Sequence, residues 1–263
     1  MSQFNRRNFL KTSFAAAGAT FAISGTKSSG NILGANDRIR VAVAGLHGRG
    51  KSHMGEFAKM KGVEVSYLVD PDSRLYGDAV KRIKETAGNS PKTVKDIREA
   101  LDDKNVDVVS IATPNHWHSL MTIWACQAGK DVYVEKPCSH NIHEGRIAVE
   151  TARKYDRIVQ HGTQQRSSSS RASEIAAVHS EKYGKLLVSK AYCCKPRWSI
   201  GFKQTEAPPK ELDFNIWLGP APEQPYHGNL VHYNWHWFWD TGNGDTGNQG
   251  VHEMDVARWA IKG

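Results

Sequence analysis

The sequence predicts an α/β fold in which helices cover both faces of a parallel sheet and a region of different texture follows. Three observations point there. Between Asp37 and about Gln160, short runs of β type alternate with helical patterns. The runs are largely apolar rather than strictly alternating, as in strands buried on both faces. The first of them, Arg38–Ala44, enters a glycine-rich turn, Gly45-x-x-Gly48-x-Gly50, that opens a helix.

The elements follow in order. Lys51–Met60 is helical, Val63–Val69 is a strand, and Ser73–Ala87 is a helix with Leu75, Ala79, Ile83 and Ala87 at helical spacing. Asp96–Leu101 forms a short helix, Val106–Ala112 a strand and His116–Ala128 a helix. Asp131–Val134 is a strand, Glu144–Lys154 a helix and Arg157–Gln160 a strand. Past Gly162 the pattern changes. Ala172–His179 reads as a helix and Leu186–Tyr192 as a strand. Lys195–Gly250 is rich in Pro, Gly and Trp, with turn signals at Gly219-Pro220, Ala221-Pro222 and Gly242-Asn243-Gly244, and reads as ordered loop. A last helix begins near Gly250 and carries Val251, Met254, Val256, Trp259 and Ile261.

The first 35 residues differ in kind. Asn5-Arg6-Arg7-Asn8-Phe9-Leu10-Lys11 is a twin-arginine pattern, and the small-residue apolar stretch Phe14–Ile23 follows it. That stretch is too short to span a bilayer but suits an export signal. The expected organisation is a signal segment over 1–35, a dinucleotide-binding domain over 36–160 and a second domain over 161–263. The expected location is the periplasm, with the twin-arginine export machinery as a partner. Of the net charge of +8, four positive charges and no acid lie in residues 1–35, which leaves 31 bases against 27 acids, or +4. The remaining Lys and Arg are scattered, which argues against nucleic-acid binding. The four cysteines (Cys126, Cys138, Cys193 and Cys194) include no CxxC pair, so neither a disulfide framework nor a zinc knuckle follows, and buried thiols are expected.

The glycine turn sits where a dinucleotide fingerprint must sit. Its glycines allow close approach to a pyrophosphate, and the helix start offers N–H donors. His47 stands where the usual GxGxxG has its second glycine. Asp70 ends the second strand, 25 residues after Gly45, where an acid accepts from ribose hydroxyls and disfavours a 2′-phosphate. NAD is therefore expected, with Arg74 nearby leaving NADP open. Thr113-Pro114-Asn115 ends another strand and borders the same crevice; capping of the next helix is the alternative for Asn115. Lys136, in Glu135-Lys136-Pro137, ends a further strand, where an ammonium can donate to a substrate hydroxyl and give up a proton if burial lowers its pKa. His252 opens the last helix with Asp255 near it, and histidine is the usual proton carrier at neutral pH.

The other histidines suggest no metal site. His116 and His118 diverge on a helix, and His232 and His236 lie in loop sequence. Trp235, Trp237 and Trp239 alternate as in a strand and are read as core, with a sugar-stacking platform as the alternative.

Together the glycine turn, Asp70, Thr113-Pro114-Asn115-x-x-His118, Glu135-Lys136-Pro137 and Gly250-x-His252-x-x-Asp255 resemble the Gfo/Idh/MocA (glucose–fructose oxidoreductase/inositol dehydrogenase) family over residues 38–263. The resemblance implies a Rossmann domain followed by an α+β domain with an open mixed sheet. It implies NAD(P) chemistry on a sugar or polyol by hydride transfer, and the twin-arginine signal, whose resemblance implies export in the folded state, adds the expectation of tightly bound cofactor. The cofactor-binding positions it points to are Gly45, His47, Gly48, Arg49, Gly50, Asp70, Thr113, Pro114, Asn115, His118, Glu135 and Lys136. The catalytic positions are Lys136, His252 and Asn248, the last orienting the hydroxyl. Two departures stand out. Where the family usually has an acid four residues before the histidine, this chain has Asn248, with Asp245 nearby as a substitute. Family members also continue further, so the chain is expected to be C-terminally truncated and the full-length protein a homo-oligomer. The Asn248 departure keeps open a redox-neutral, NAD-dependent glycosidase, lyase or epimerase, and a non-catalytic carbohydrate-binding protein.

Overall fold

The computed structural model describes residues 38–261; the twin-arginine motif and the apolar stretch behind it lie outside them. Six strands form one parallel sheet: β1 (Ile39–Ala44), β2 (Val63–Val69), β3 (Lys92–Val94), β4 (Val108–Ile111), β5 (Asp131–Glu135) and β6 (Val159–Gly162). Their order is β3-β2-β1-β4-β5-β6, the doubly wound Rossmann arrangement.

Alternate residues of β1 explain the two layers. Val41 and Val43 face one side, where they pack with Leu46, Met54, Val65, Leu68 and Ile83 beneath α1 (Arg49–Lys59) and α2 (Tyr76–Ala87). Ala42 and Ala44 face the other, where Val109, Ile111, Trp117, Met121 and Ala125 pack beneath α3 (Ile97–Leu101) and α4 (Asn115–Gln127). Gly88, in the left-handed region at φ 80°, ends α2. The side chain of Asn141 caps α5 (Ile142–Lys154) by accepting from the Glu144 N–H. Helices α1 and α4 have no side-chain cap at all.

Beyond β6 come α6 (Ser169–His179), the short α7 (Phe214–Leu218) and α8 (Val251–Ala260). A small second core of Leu212, Trp217, Leu218, Tyr226, Leu230 and Trp235 forms here. Two sets of contacts with the sheet domain involve its own segments directly. The 211–213 segment runs antiparallel to 71–73, with Ser73 N donating to Glu211 O and Asp213 N to Pro71 O. Trp217 O accepts from the indole of Trp117 at 2.9 Å and faces His116 Nε2 at 3.0 Å.

Several expectations need correction. No open mixed sheet occurs among the described residues, and 185–209, including the expected strand Leu186–Tyr192, has no regular structure. A strand needs a paired neighbour for its backbone groups, and among the described residues this segment meets α8, through Ser189 Oγ donating to Ala257 O at 2.8 Å, rather than another strand. Strand β3 is additional: three residues with two lysine- or threonine-bearing positions carry too little apolar pattern to be read. Strand β6 starts two residues later than expected, because Arg157 N turns back to Ala152 O. Asn234–Trp237 is a 3-10 turn rather than a strand; it buries Trp235, half-buries Trp237 and leaves Trp239 93% exposed. Of the four thiols only Cys126 is buried, since Cys138, Cys193 and Cys194 lie in turn or irregular segments.

Candidate active site

The strand order reverses between β1 and β4, and the carboxyl ends of those strands open onto a cavity of about 420 Å³. Its walls come from the glycine turn, the ends of β2, β4 and β5, the loop 232–236 and the start of α8. Every candidate cofactor-binding residue lines it except Gly50, which sits immediately beneath the turn. Lys136, Asn248 and His252 line it too.

The turn is shaped by close backbone approach. A Cβ on Gly50 would stand 1.8 Å from Gly45 O, and one on Gly45, at φ 84°, would stand 2.5 Å from Ala112 O. By contrast, nothing lies within 4 Å of the place a Gly48 side chain would take. The uncapped first turn of α1 starts at that open point. Uncapped α4 also begins at the cavity, with Pro114 at its cap position. These are two helix starts suited to anionic groups. The buried Thr113 Oγ1 has no partner, which leaves a polar group at the wall for a bound molecule. An uncapped glycine turn, an orphaned hydroxyl and a cavity at the switch point fit a nicotinamide dinucleotide.

Three predicted residues have bracing roles. Asp70 accepts from Leu46 N at 2.9 Å and Asp72 N at 3.0 Å, so it holds the glycine turn in place. Burial raises its pKa against those two donors. His118 is buried with its ring nitrogens against the carbonyls of Pro137 and Thr113, tying the end of β4 to the turn after β5. Glu135 Oε1 accepts from Arg49 Nε at 3.0 Å, His53 Nε2 at 3.0 Å and Gln164 Nε2 at 2.6 Å. Burial alone would raise the Glu135 pKa, but those donors outweigh it and hold it down at about 2. Asn115 does not cap α4; its amide donates to Asn243 Oδ1 at 3.0 Å. His47 stacks on His232, ring centroids 4.8 Å apart.

The Lys136 ammonium donates to the backbone and side-chain oxygens of Asn248, which lies in a π-helical turn, Thr246–Gly250. Burial lowers its pKa, as do the charges of Arg49 and Lys195, while Glu135 opposes them. The pKa of His252 is lowered by burial first and by Lys136 next, and its buried Nδ1 has no partner. A neutral imidazole therefore sits beside a lysine ammonium. Asp245 does not stand in for the missing acid, since it forms a two-pronged pair with Arg197. Asp255 pairs with Arg166 at 2.8 and 2.9 Å rather than with His252.

Sequence reasoning missed His53, Gln164, Tyr233 and His236. His53 is legible only in retrospect, three residues past Gly50 on the inward face of α1. Gln164 and His236 lie in short 3-10 turns and Tyr233 at the cap of one, where no sequence pattern marks them.

Two family models decide the affiliation. The model of the Gfo/Idh/MocA oxidoreductase family, NAD-binding Rossmann fold, matches residues 39–163, and that of the family's C-terminal alpha/beta domain matches 188–262. The chain belongs to the Gfo/Idh/MocA family. Among curated relatives of this Gfo/Idh/MocA chain, glycosyl hydrolase family 109 protein 2 of Shewanella sp. (strain ANA-3) is 33% identical over 172 residues, 58% of this chain and 38% of that protein. A glycosyl hydrolase family 109 protein of Shewanella baltica (strain OS185) is 33% identical over 174 residues, with the same shares. The match thus spans about two fifths of these relatives. Among solved structures, GenD2 from gentamicin A biosynthesis in complex with NAD has a TM-score of 0.60 at 19% identity, covering 87% of this chain and 55% of that one. That likeness is one of fold. Myo-inositol 2-dehydrogenase from Lactobacillus plantarum has a TM-score of 0.52 at 25% identity, covering 57% and 44%.

Proposed function

We propose that this protein is an NAD-dependent oxidoreductase that acts on a hydroxyl of a sugar or polyol. One observation carries the reading: Lys136 and His252 face the same cavity as the glycine turn of an NAD-binding Rossmann domain. The nicotinamide, when bound, supplies reversible hydride acceptance. The glycine turn and the starts of α1 and α4 would hold the pyrophosphate. Lys136, fixed by Asn248, would donate a hydrogen bond to the reacting hydroxyl oxygen. His252, neutral at pH 7, would take the hydroxyl proton on a ring nitrogen. Formation of NADH with a panel of sugars, by protein that contains residues 38–261 and whatever adjoins them natively, tests this. NADH formation abolished by Lys136→Ala supports it; turnover untouched by that change refutes it.

A redox-neutral glycosidase is the second reading. It is favoured by the names of the 33%-identical relatives and by Asn248, which holds Lys136 without a charge. Cleavage of an aryl glycoside with no net NADH, and dependence on bound NAD, would select it. We also propose, from the twin-arginine motif Asn5–Lys11, that the protein is exported to the periplasm with NAD retained. A fusion of residues 1–35 to a reporter that needs folded export tests the signal.

A further inference from the structure

We propose that Asp72 sets the choice of NAD over NADP by disarming Arg74. This rests on the proposed binding of a nicotinamide dinucleotide in the cavity.

The β2 end carries two acids and one nearby base. Asp70 is turned inward, onto Leu46 N and Asp72 N. The residue able to greet a 2′-phosphate in this turn is Arg74, and its guanidinium is already engaged. Its Nε donates to Asp72 Oδ1 at 2.8 Å and its Nη2 to Oδ2 at 2.6 Å. This is the two-pronged geometry that a phosphate would otherwise claim. The Asp72 side chain is fully buried. It also accepts from Arg74 N at 3.1 Å, capping the 3-10 turn Ser73–Leu75, and meets His232 Nε2 at 2.7 Å. His232 comes from the loop 160 residues later and stacks on His47 of the glycine turn. The lock is therefore closed from both domains. Asp70 and Pro71 line the cavity and Arg74, half-exposed, lies just beyond them, so a 2′-phosphate reaching past that rim finds a base whose donors the Asp72 carboxylate already holds. Lys95 lines the cavity itself and is a second cation a phosphate could reach.

The test is a calorimetric titration of NAD and NADP into wild type, Asp72→Asn and Asp72→Asn/Arg74→Gln, each freed of retained cofactor. Asparagine keeps the cap on Arg74 N but cannot hold the guanidinium by charge. Wild type should bind NAD at least about tenfold tighter than NADP. Asp72→Asn should bind NADP about tenfold tighter than wild type does, with NAD affinity within about threefold, and the double variant should lose that gain. A folded Asp72→Asn that binds NAD normally with no gain in NADP overturns the proposal. So does a gain that survives in the double variant, which would assign it to Lys95 or to lost repulsion alone. Should Asp72→Asn fail to fold, wild type decides with ADP and 2′,5′-ADP. Clearly weaker 2′,5′-ADP supports the lock, and equal or tighter binding overturns it. Wild type that binds neither dinucleotide nor ADP sinks the proposed function, and this inference with it.

Discussion

Lys136 donates to two oxygens of Asn248, the backbone carbonyl and the side-chain Oδ1 at 3.3 Å, so a residue without charge fixes the cation at the strand end. Because the anchor is neutral, burial governs the Lys136 pKa and lowers it, with Glu135 as the opposing charge.

A carboxylate at that anchor should reverse the balance. In Asn248→Asp the ammonium gains an adjacent anion, so its pKa rises. The alkaline limb of the pH–rate profile, where the Lys136 ammonium is lost, should move to higher pH by about one unit. A profile that does not move would separate the Lys136 ammonium from the reacting hydroxyl.

The charges of Lys136 and His252 are coupled. Lys136 is among the causes that lower the His252 pKa below 6.5. Lys136→Met should therefore raise the His252 titration toward 6.5, as read by NMR of the ring protons. It should also lower kcat by about 10²- to 10⁴-fold. An unchanged His252 titration would mean that burial alone sets it.

Glu135 should make the fold acid-sensitive. Its carboxyl titrates at about 2 in the fold against an ordinary 4.5. A depressed pKa contributes stability that is present above pH 4.5 and lost as pH falls from there toward 2. The contribution at neutral pH is on the order of 3 kcal/mol. Urea midpoints at pH 7 and pH 3 should differ more in wild type than in Glu135→Gln, where Asp72 still contributes. A Glu135→Gln variant with the same pH dependence would place the acid sensitivity elsewhere, Asp72 being the next candidate because its carboxyl also lies at about 2.

Gly50→Ala should damage the turn. The added Cβ meets Gly45 O at 1.8 Å, so the backbone must shift, at a cost of about 1–3 kcal/mol. NAD affinity should fall more than stability does, because the same shift moves the donors of the turn. Calorimetry with NAD alongside thermal unfolding separates the two effects.

The sheet domain was legible because its signals are local. A strand entering Gly45-x-x-Gly48-x-Gly50, and apolar runs spaced by helical patterns, depend on neighbours in sequence. Lys136, Asn248 and His252 were legible as a set of motifs, and they do line one cavity. What was not legible depends on distant partners. Asp70 reads as a ribose acceptor, but where its carboxylate turns is decided by Leu46 N. Asp245 reads as a substitute acid until Arg197, 48 residues earlier, claims it. Leu186–Tyr192 has strand-forming residues, but a strand is a property of a pair.

The most direct measurement is of the cofactor itself. Protein isolated from its native compartment is heat-denatured, and the supernatant is assayed for NAD and NADP. Release of NAD, at up to about one per chain and without NADP, is the result expected of a retained-cofactor enzyme built on this cavity. Release of neither, together with added NAD that binds no more tightly to wild type than to Gly50→Ala, would contradict it.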